Sequence, residues 1–275
     1  MTRQAKLALL LTTLALPLLL LSATALLPNA ATPQTWLLRS AAQAPLPSQF
    51  TLLNWNIQKR SQQPQWQQQF DQIQRQYQPE LLTLQEVVLD AKRRNPTNHN
   101  AVFAANLMLS EGYSGLLNAA PSLPTHSQVR FSKDTEPLAN TPKLALYSHY
   151  SIGDQQLLLV NIHAINFVSN SAYQRQLSDL LSTVQAHSGL LLLSGDFNSW
   201  SPQRLTLLQQ QMSQLGLHPV QFTNPDKIKA FLGSPLDHVF ASPALKVTTA
   251  VVLDQYQSSD HAPMLVQFQV QQNDG

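Results

Sequence analysis

The sequence predicts an α/β fold, and two observations carry that expectation. Apolar stripes at helical spacing alternate along the chain with short, strand-like apolar runs, the layout of layered α/β domains. The runs end in compact polar clusters: Leu53-Asn54-Trp55-Asn56, Leu84-Gln85-Glu86, Asn161-Ile162-His163, Gly195-Asp196-Phe197-Asn198 and Ser259-Asp260-His261, with Leu236-Asp237-His238 just before Val239-Phe240. Carboxylates, carboxamides and imidazoles at the mouths of strands suit a metal-assisted attack on phosphorus, which must hold a hard cation, a water and a charged oxyanion together.

The elements run in order along the chain. A strand extends from Phe50 to Ile57, and a helix from Pro64 to Tyr77 places Trp66, Phe70, Ile73 and Tyr77 on one face above a glutamine-rich surface. A short buried strand, Leu81 to Gln85, ends at Glu86. Asn98 to Leu109 reads as helical, and the Pro- and Ser-containing stretch to Asn140 has no assignment. Leu144–Tyr150 and Gln155–Ile162 form a hairpin across Ser151-Ile152-Gly153-Asp154. Ser171 to His187 is a helix with Tyr173, Leu177, Leu180, Leu181 and Val184 on its stripe. Leu190 to Leu193 is a buried strand. Ser201-Pro202 caps and opens the next helix, with Leu205, Leu208, Met212 and Leu215 facing inward before Gly216. Strands around Val239, Val247–Leu253 and Met264–Val270 close the domain, and no internal repeat is found.

The chain has 275 residues, enough for one domain of roughly 220 residues behind a leader. With a net charge of +2 and 12% charged residues it has no global preference for nucleic acid or anionic membrane, and Lys92-Arg93-Arg94 reads as a solvated loop. Cysteine is absent, which excludes disulfides, thiolate metal sites and cysteine nucleophiles. Arg3 and Lys6 precede an uncharged run from Leu7 to Leu27. Residues 1–27 are therefore expected to be a signal peptide or a transmembrane anchor, with Ala23-Thr24-Ala25 or Asn29-Ala30-Ala31 offering cleavage sites. The flanking charges favour export of the rest of the chain, into the periplasm or tethered to the inner membrane through residues 7–27, with a cytoplasmic location as the alternative. The expected organisation is a linker over 28–48, the domain over 49–270 and a tail over 271–275, in a monomer.

The order and content of the clusters resemble the endonuclease/exonuclease/phosphatase superfamily from about Phe50 to Phe268, most specifically through Gly195-Asp196-Phe197-Asn198 and Ser259-Asp260-His261-Ala262-Pro263. The resemblance implies a deoxyribonuclease I-like four-layer sandwich, with two face-packed mixed β-sheets flanked by helices and the strand ends of both sheets converging on one cleft. It implies a phosphoester hydrolase, most directly a phosphodiesterase acting on nucleic acid or a phospholipid-like ester. A phosphomonoesterase for a small phosphate ester, and an inactive binding module with the same fold, are the alternatives. Gln58 stands where the abasic-site endonucleases have an aspartate, and the Asn-x-His setting of His163 is closer to the deoxyribonuclease and sphingomyelinase branches.

Glu86 is expected to hold Mg²⁺ or Mn²⁺, because a strand-end carboxylate among carboxamides suits a hydrated hard ion better than Zn²⁺. Asn56 matches the family asparagine that arranges metal and phosphate, with Asn54 expected on the opposite side of the strand, and Asp260 is expected by the metal. Asp196 matches the residue that orients or deprotonates the attacking water, and Asn198 a neutral donor to the phosphoryl oxygen. His163 and His261, each in a matching motif, are placed on the phosphate; the resemblance implies that Asp237 pairs with His261 and fixes its tautomer, with His238 pointing away. His99, His126, His149, His187 and His218 are read as ordinary polar positions, and Gln85 as a polar residue bonding core backbone.

Overall fold

A computed structural model describes residues 29–30, 34–40, 42–110, 112–137 and 140–271. In chain order the strands are β1 (Asn29–Ala30), β2 (Thr35–Leu38), β3 (Gln49–Asn56), β4 (Leu81–Asp90), β5 (Asn100–Leu109), β6 (Gly112–Ala120), β7 (His126–Thr135), β8 (Pro142–Ile152), β9 (Gln155–His163) and β10 (Leu190–Asp196). They continue with β11 (His218–Pro219), β12 (Ala230–Phe231), β13 (Ser234–Pro235), β14 (Asp237–Ala241), β15 (Leu245–Val252) and β16 (Met264–Val270). Among the described residues three α-helices, α1 (Pro64–Tyr77), α2 (Asn170–Val184) and α3 (Pro202–Gln214), lie between them. One mixed sheet has the order β1-β5-β6-β4-β3-β16-β15, with β2 also on β5; the other runs β11-β14-β10-β9-β8-β7.

The two sheets pack face to face, as expected. Leu52, Leu81, Val266 and Phe268 of the first sheet meet Leu157, Leu159, Leu190, Leu192 and Val239 of the second in one apolar cluster. The outer face of the first sheet is covered by α1, whose Trp66, Phe70 and Ile73 lie on Leu53, Trp55, Leu82 and Leu84. That of the second is covered by α2 and α3, through Tyr173, Leu177, Leu208 and Met212 on Val160, Ile162, Leu191 and Leu193. Burial on both faces explains why these strands read as near-continuous apolar runs.

Along each central strand the inward-facing positions, two residues apart, change from apolar to neutral polar to site-forming. Leu52, Asn54 and Asn56 do so on β3, Leu159, Asn161 and His163 on β9, and Leu192, Ser194 and Asp196 on β10, while on β4 the apolar Leu81 gives way to the neutral Thr83 and Gln85. The middle tier is a buried hydrogen-bonded bridge between the sheets. Asn54 Oδ1 accepts from Thr83 Oγ1 (3.0 Å) and Gln85 Nε2 (3.0 Å), Gln85 Nε2 also donates to Asn161 Oδ1 (2.7 Å), and Asn161 Nδ2 donates to the carbonyls of Leu84 and Leu117 (both 3.1 Å). Thr83 has a single hydroxyl proton and gives it to Asn54, so in the 2.7 Å contact between the two hydroxyls Ser194 is the donor. Replacing Asn161 with Ala removes one acceptor of Gln85 and the side-chain donor to two carbonyls. It is expected to lower the unfolding free energy by about 2–3 kcal/mol in urea titrations, the range for buried polar groups left unpaired.

Some elements differ from expectation. Asn98–Leu109, read as a helix, is strand β5: Ala101, Phe103 and Ala105 pack outward while Val102 and Ala104 pack inward, so both faces are apolar and neither period stands out. The unassigned stretch contains β6 and β7. Part of the expected linker belongs to the sheet, since β2 pairs with β5 from Thr35↔Ala104 to Leu38↔Ala101 and Trp36 stacks on Phe103 at 5.6 Å. Asn54 shares the inward face with Asn56 because the two stand two positions apart. In α3 the buried face is Arg204, Leu208, Gln211 and Met212. The leader expected over 1–27 lies outside the described residues, as do residues 272–275; among the described residues no helix is long and apolar enough to cross a membrane.

Candidate active site

The site forms where the inward positions of β3, β4, β9, β10 and β14 reach the mouth of the sandwich. Asp196, at the end of β10, is its centre. Asn56 Nδ2 donates to Asp196 Oδ2 at 3.0 Å from the opposite sheet, and the backbone N–H of Asn198 donates to Oδ1 at 3.0 Å. His163 Nε2 lies 3.6 Å and His261 Nε2 3.9 Å from Asp196 Oδ2. Parallel pairing of β9 with β10 sets Asp196 beside His163, and antiparallel pairing of β10 with β14 sets it beside Asp237. Gly195 permits this register, because a Cβ there would come within 2.0 Å of the Ile162 carbonyl oxygen. Burial pushes the Asp196 carboxyl above its ordinary value, against the opposing pull of His163.

His261 lies on the loop before β16, fixed by two contacts from β3. Trp55 Nε1 donates to the His261 carbonyl at 2.8 Å, and Ser259 Oγ donates to the Asn56 carbonyl at 2.7 Å while accepting from the His261 N–H at 3.2 Å. Asp237 Oδ2 accepts from His261 Nδ1 at 2.7 Å, leaving Nε2 toward the cleft. Burial disfavours the imidazolium, but the charge and hydrogen bond of Asp237 outweigh it and raise the group to about 9. At neutral pH His261 is therefore a cationic donor.

Glu86 is reached differently from the expected strand end. Strand β4 continues to Asp90, and Glu86 sits in a register shift between Leu84 and Val87 with φ +56°, a bulge that re-aims its side chain into the mouth. Lys59 Nζ pairs with Glu86 Oε2 at 2.6 Å, and His163 Nε2 lies 3.9 Å from Oε1. Burial works to raise this carboxyl, but Lys59 and Lys143 together hold it below its ordinary value. Lys143 Nζ also lies 3.2 Å from His163 Nε2, and burial, reinforced by the Lys143 charge, pushes His163 well below its ordinary value.

The residues at the mouth lie within the segment that matches a family model, the Endonuclease/Exonuclease/phosphatase family, over residues 53–261. The chain belongs to the endonuclease/exonuclease/phosphatase family. It is 34% identical over 232 residues to a UPF0294 protein of Vibrio cholerae, covering 82% of this chain and 79% of that one. Among solved structures it is similar to an endonuclease/exonuclease/phosphatase from Beutenbergia cavernae, with TM-score 0.65, 17% identity and coverage of 81% of this chain and 72% of that one. A mannosyl-6-phosphatase from Bacteroides thetaiotaomicron gives TM-score 0.57 at 16% identity, covering 80% and 99%. Family membership supports phosphoester hydrolysis as the chemistry of this cleft.

Of the site residues expected from sequence, Asn56, Glu86, His163, Asp196, Asp237 and His261 converge on the mouth. Asn198 is adjacent, and its side-chain nitrogen donates to the Ala164 carbonyl at 2.8 Å, which fixes the loop after β10. Asp260, expected by the metal, is exposed and paired with Lys229 at 3.1 Å. His238 points away, as expected, onto Ser199 Oγ at 2.8 Å. Gln85 bonds mainly to other buried side chains.

Sequence reasoning missed Lys59, Lys143 and Arg204. Arg204 is fully buried, donates to the carbonyls of Ile165, Asn198 and Val168, and lies between the Tyr173 and Trp200 rings at 4.5 and 4.6 Å. It ties the loops after β9 and β10 together beneath the site. Its helical position next to a Leu-rich stripe gives no sequence signal for that role.

The residues at the mouth fit a hard divalent cation. The donors are mostly oxygens of Glu86, Asp196, Asp237 and Asn56, while the two imidazoles are already engaged by Asp237 and Lys143. Asp196, Asp237 and His261 could place ligand atoms within 4.8 Å of one another, and Asp237 Oδ1 is buried without a partner. Glu86 could contribute a further oxygen: it opens to the mouth and is paired with the Lys59 ammonium. The Asn56 side-chain oxygen, bonded only to the Gln58 N–H at 3.1 Å, keeps a lone pair for the same ion.

Proposed function

We propose that the protein is a divalent-cation-dependent phosphodiesterase acting on nucleic acid or a phospholipid-like ester. The observation that carries this reading is the convergence of Asn56, His163 and His261 on one oxygen of Asp196, from both sheets. Each Asp196 oxygen keeps a lone pair beyond its single hydrogen bond, so the carboxylate can accept the proton of a water entering the mouth. The water oxygen then bonds to phosphorus as the ester P–O bond breaks. His261, held as imidazolium by Asp237, donates from Nε2 where negative charge builds on the phosphoryl oxygens. Mg²⁺ or Mn²⁺ held by Glu86 and Asn56 would supply further stabilisation of that charge.

A phosphomonoesterase is the second reading, favoured by the ammonium groups of Lys59 and Lys143, which together with His261 suit a dianionic phosphate. The similarity to a mannosyl-6-phosphatase is consistent with it. Both readings are tested by assaying the purified chain on plasmid DNA, RNA, sphingomyelin, bis(p-nitrophenyl) phosphate and p-nitrophenyl phosphate with Mg²⁺, Mn²⁺ or EDTA. Preference for the last substrate selects the monoesterase, and turnover of none with every cation leaves a binding module. In the active assay, Glu86→Gln is expected to abolish turnover with an unchanged circular dichroism spectrum. A folded Glu86→Gln enzyme at full rate in ordinary Mg²⁺ removes Glu86 from the metal role.

A further inference from the structure

We propose that Lys143 is a catalytic residue that donates a hydrogen bond to a non-bridging oxygen of the scissile phosphate, in the corner of the cleft that the sequence assigns to His163. The inference rests on the phosphoester-hydrolase reading above. Lys143 stands at the entrance of β8, one residue before Leu144, which pairs with His163 across the hairpin. Its backbone N–H donates to Ser132 Oγ at 3.0 Å, fixing the point from which the side chain leaves. Its ammonium lies 3.5 Å from Glu136 Oε2, and the other Glu136 oxygen accepts from the Asn166 N–H at 3.0 Å, so the anchoring carboxylate is itself held. The Lys143 side chain is 13% exposed, and it lines a small cavity with Lys59, Glu86 and His163.

Proton counting decides which group acts. An ammonium carries three N–H bonds and accepts none. Its 3.2 Å contact with His163 therefore makes His163 Nε2 the acceptor, which puts the imidazole proton on Nδ1. A neutral His163 in that tautomer has no Nε2 proton for a phosphoryl oxygen. One Lys143 proton goes to His163, and Glu136 holds the ammonium as an ion pair at 3.5 Å, which leaves donor capacity for an anion at the mouth of the cleft. His163 is then a positioning residue that aims the ammonium.

The test compares the full chain with Lys143→Met, Lys143→Gln and Lys143→Arg, using thermal melts to confirm folding. Inorganic phosphate is titrated by calorimetry in Mg²⁺, and turnover is measured on bis(p-nitrophenyl) phosphate and p-nitrophenyl phosphate. Lys143→Met and Lys143→Gln are expected to weaken phosphate binding by about tenfold or more and to lower kcat by about 10²–10³, the scale for losing one donor to a developing oxyanion. Lys143→Arg should recover part of both, and nitrogen-15 spectra should place the His163 proton on Nδ1 in the unaltered chain. Phosphate binding and kcat within threefold of the unaltered chain in the folded Met and Gln variants overturn the proposal, as does lost turnover with unchanged phosphate binding. If the unaltered chain hydrolyses neither substrate yet its phosphate binding still requires Lys143, the hydrolase reading fails and the anion contact stands.

Discussion

Asp196→Asn is expected to lower kcat by about 10³–10⁴ on whichever phosphoester the enzyme hydrolyses, the upper range for removal of a positioned general base. The amide fits the same space but cannot accept the water's proton. The same substitution is expected to stabilise the fold at neutral pH in EDTA. Burial raises the Asp196 carboxyl above its ordinary value. A carboxylate with a raised folded value binds its proton more readily in the folded state than in the unfolded one, so its charge disfavours folding above that value. The stability gain of Asp196→Asn should thus be present at pH 7 and shrink as pH falls through the folded value toward the unfolded one near 3.8. Urea titrations from pH 7 to pH 3.5 measure it. A variant that loses both activity and neutral-pH stability would show that Asp196 holds the fold and is not a strained catalytic group.

Asp237→Ala and His261→Ala are each expected to lower kcat by on the order of 10² or more, with the double variant little worse than either, because paired groups fail together. The 2.7 Å bond between them predicts a second signature. Asp237 keeps His261 protonated to about pH 9, so activity should fall as pH rises through that value. Without Asp237 the imidazole drops toward its ordinary value near 6.5. The alkaline limb of the kcat profile should then move from about 9 to near neutrality in Asp237→Ala. Losses that multiply in the double variant, or an unmoved limb, break the assigned pairing.

The parts of this site legible in the sequence are those where residue type alone restricts the chemistry. Asp196, Glu86, His163, Asp237 and His261 stand in polar clusters beside apolar strands, and a carboxylate or imidazole there has few structural uses. Lys143 and Arg204 were not legible for opposite reasons. Lys143 acts through the pairing of β8 with β9, which its own neighbours do not encode. Arg204 lies on a helix, where a charged residue is ordinarily solvated, and only the tertiary packing of Tyr173 and Trp200 reveals that it is buried. Asp260 misled because it adjoins His261 in sequence while its side chain turns out to Lys229. Among the elements, α1 and α2 were readable because each has one apolar face, whereas β5 is apolar on both.

The neutral tier beneath the mouth has a consequence for alignment. The two halves of the site lie on different sheets, with Asn56 and Glu86 on one and His163, Asp196 and Asp237 on the other. Hydrocarbon faces are non-directional and tolerate sliding. The chain from Ser194 through Thr83, Asn54 and Gln85 to Asn161 does not, because its donors and acceptors meet at fixed positions along the strands and the direction of each bond is set. Moving one sheet past the other by a single residue, about 3.3 Å, would break its links between the sheets at once. The tier therefore acts as a detent that stops Asn56 opposite Asp196, and substitutions there should misalign the halves before they unfold the protein.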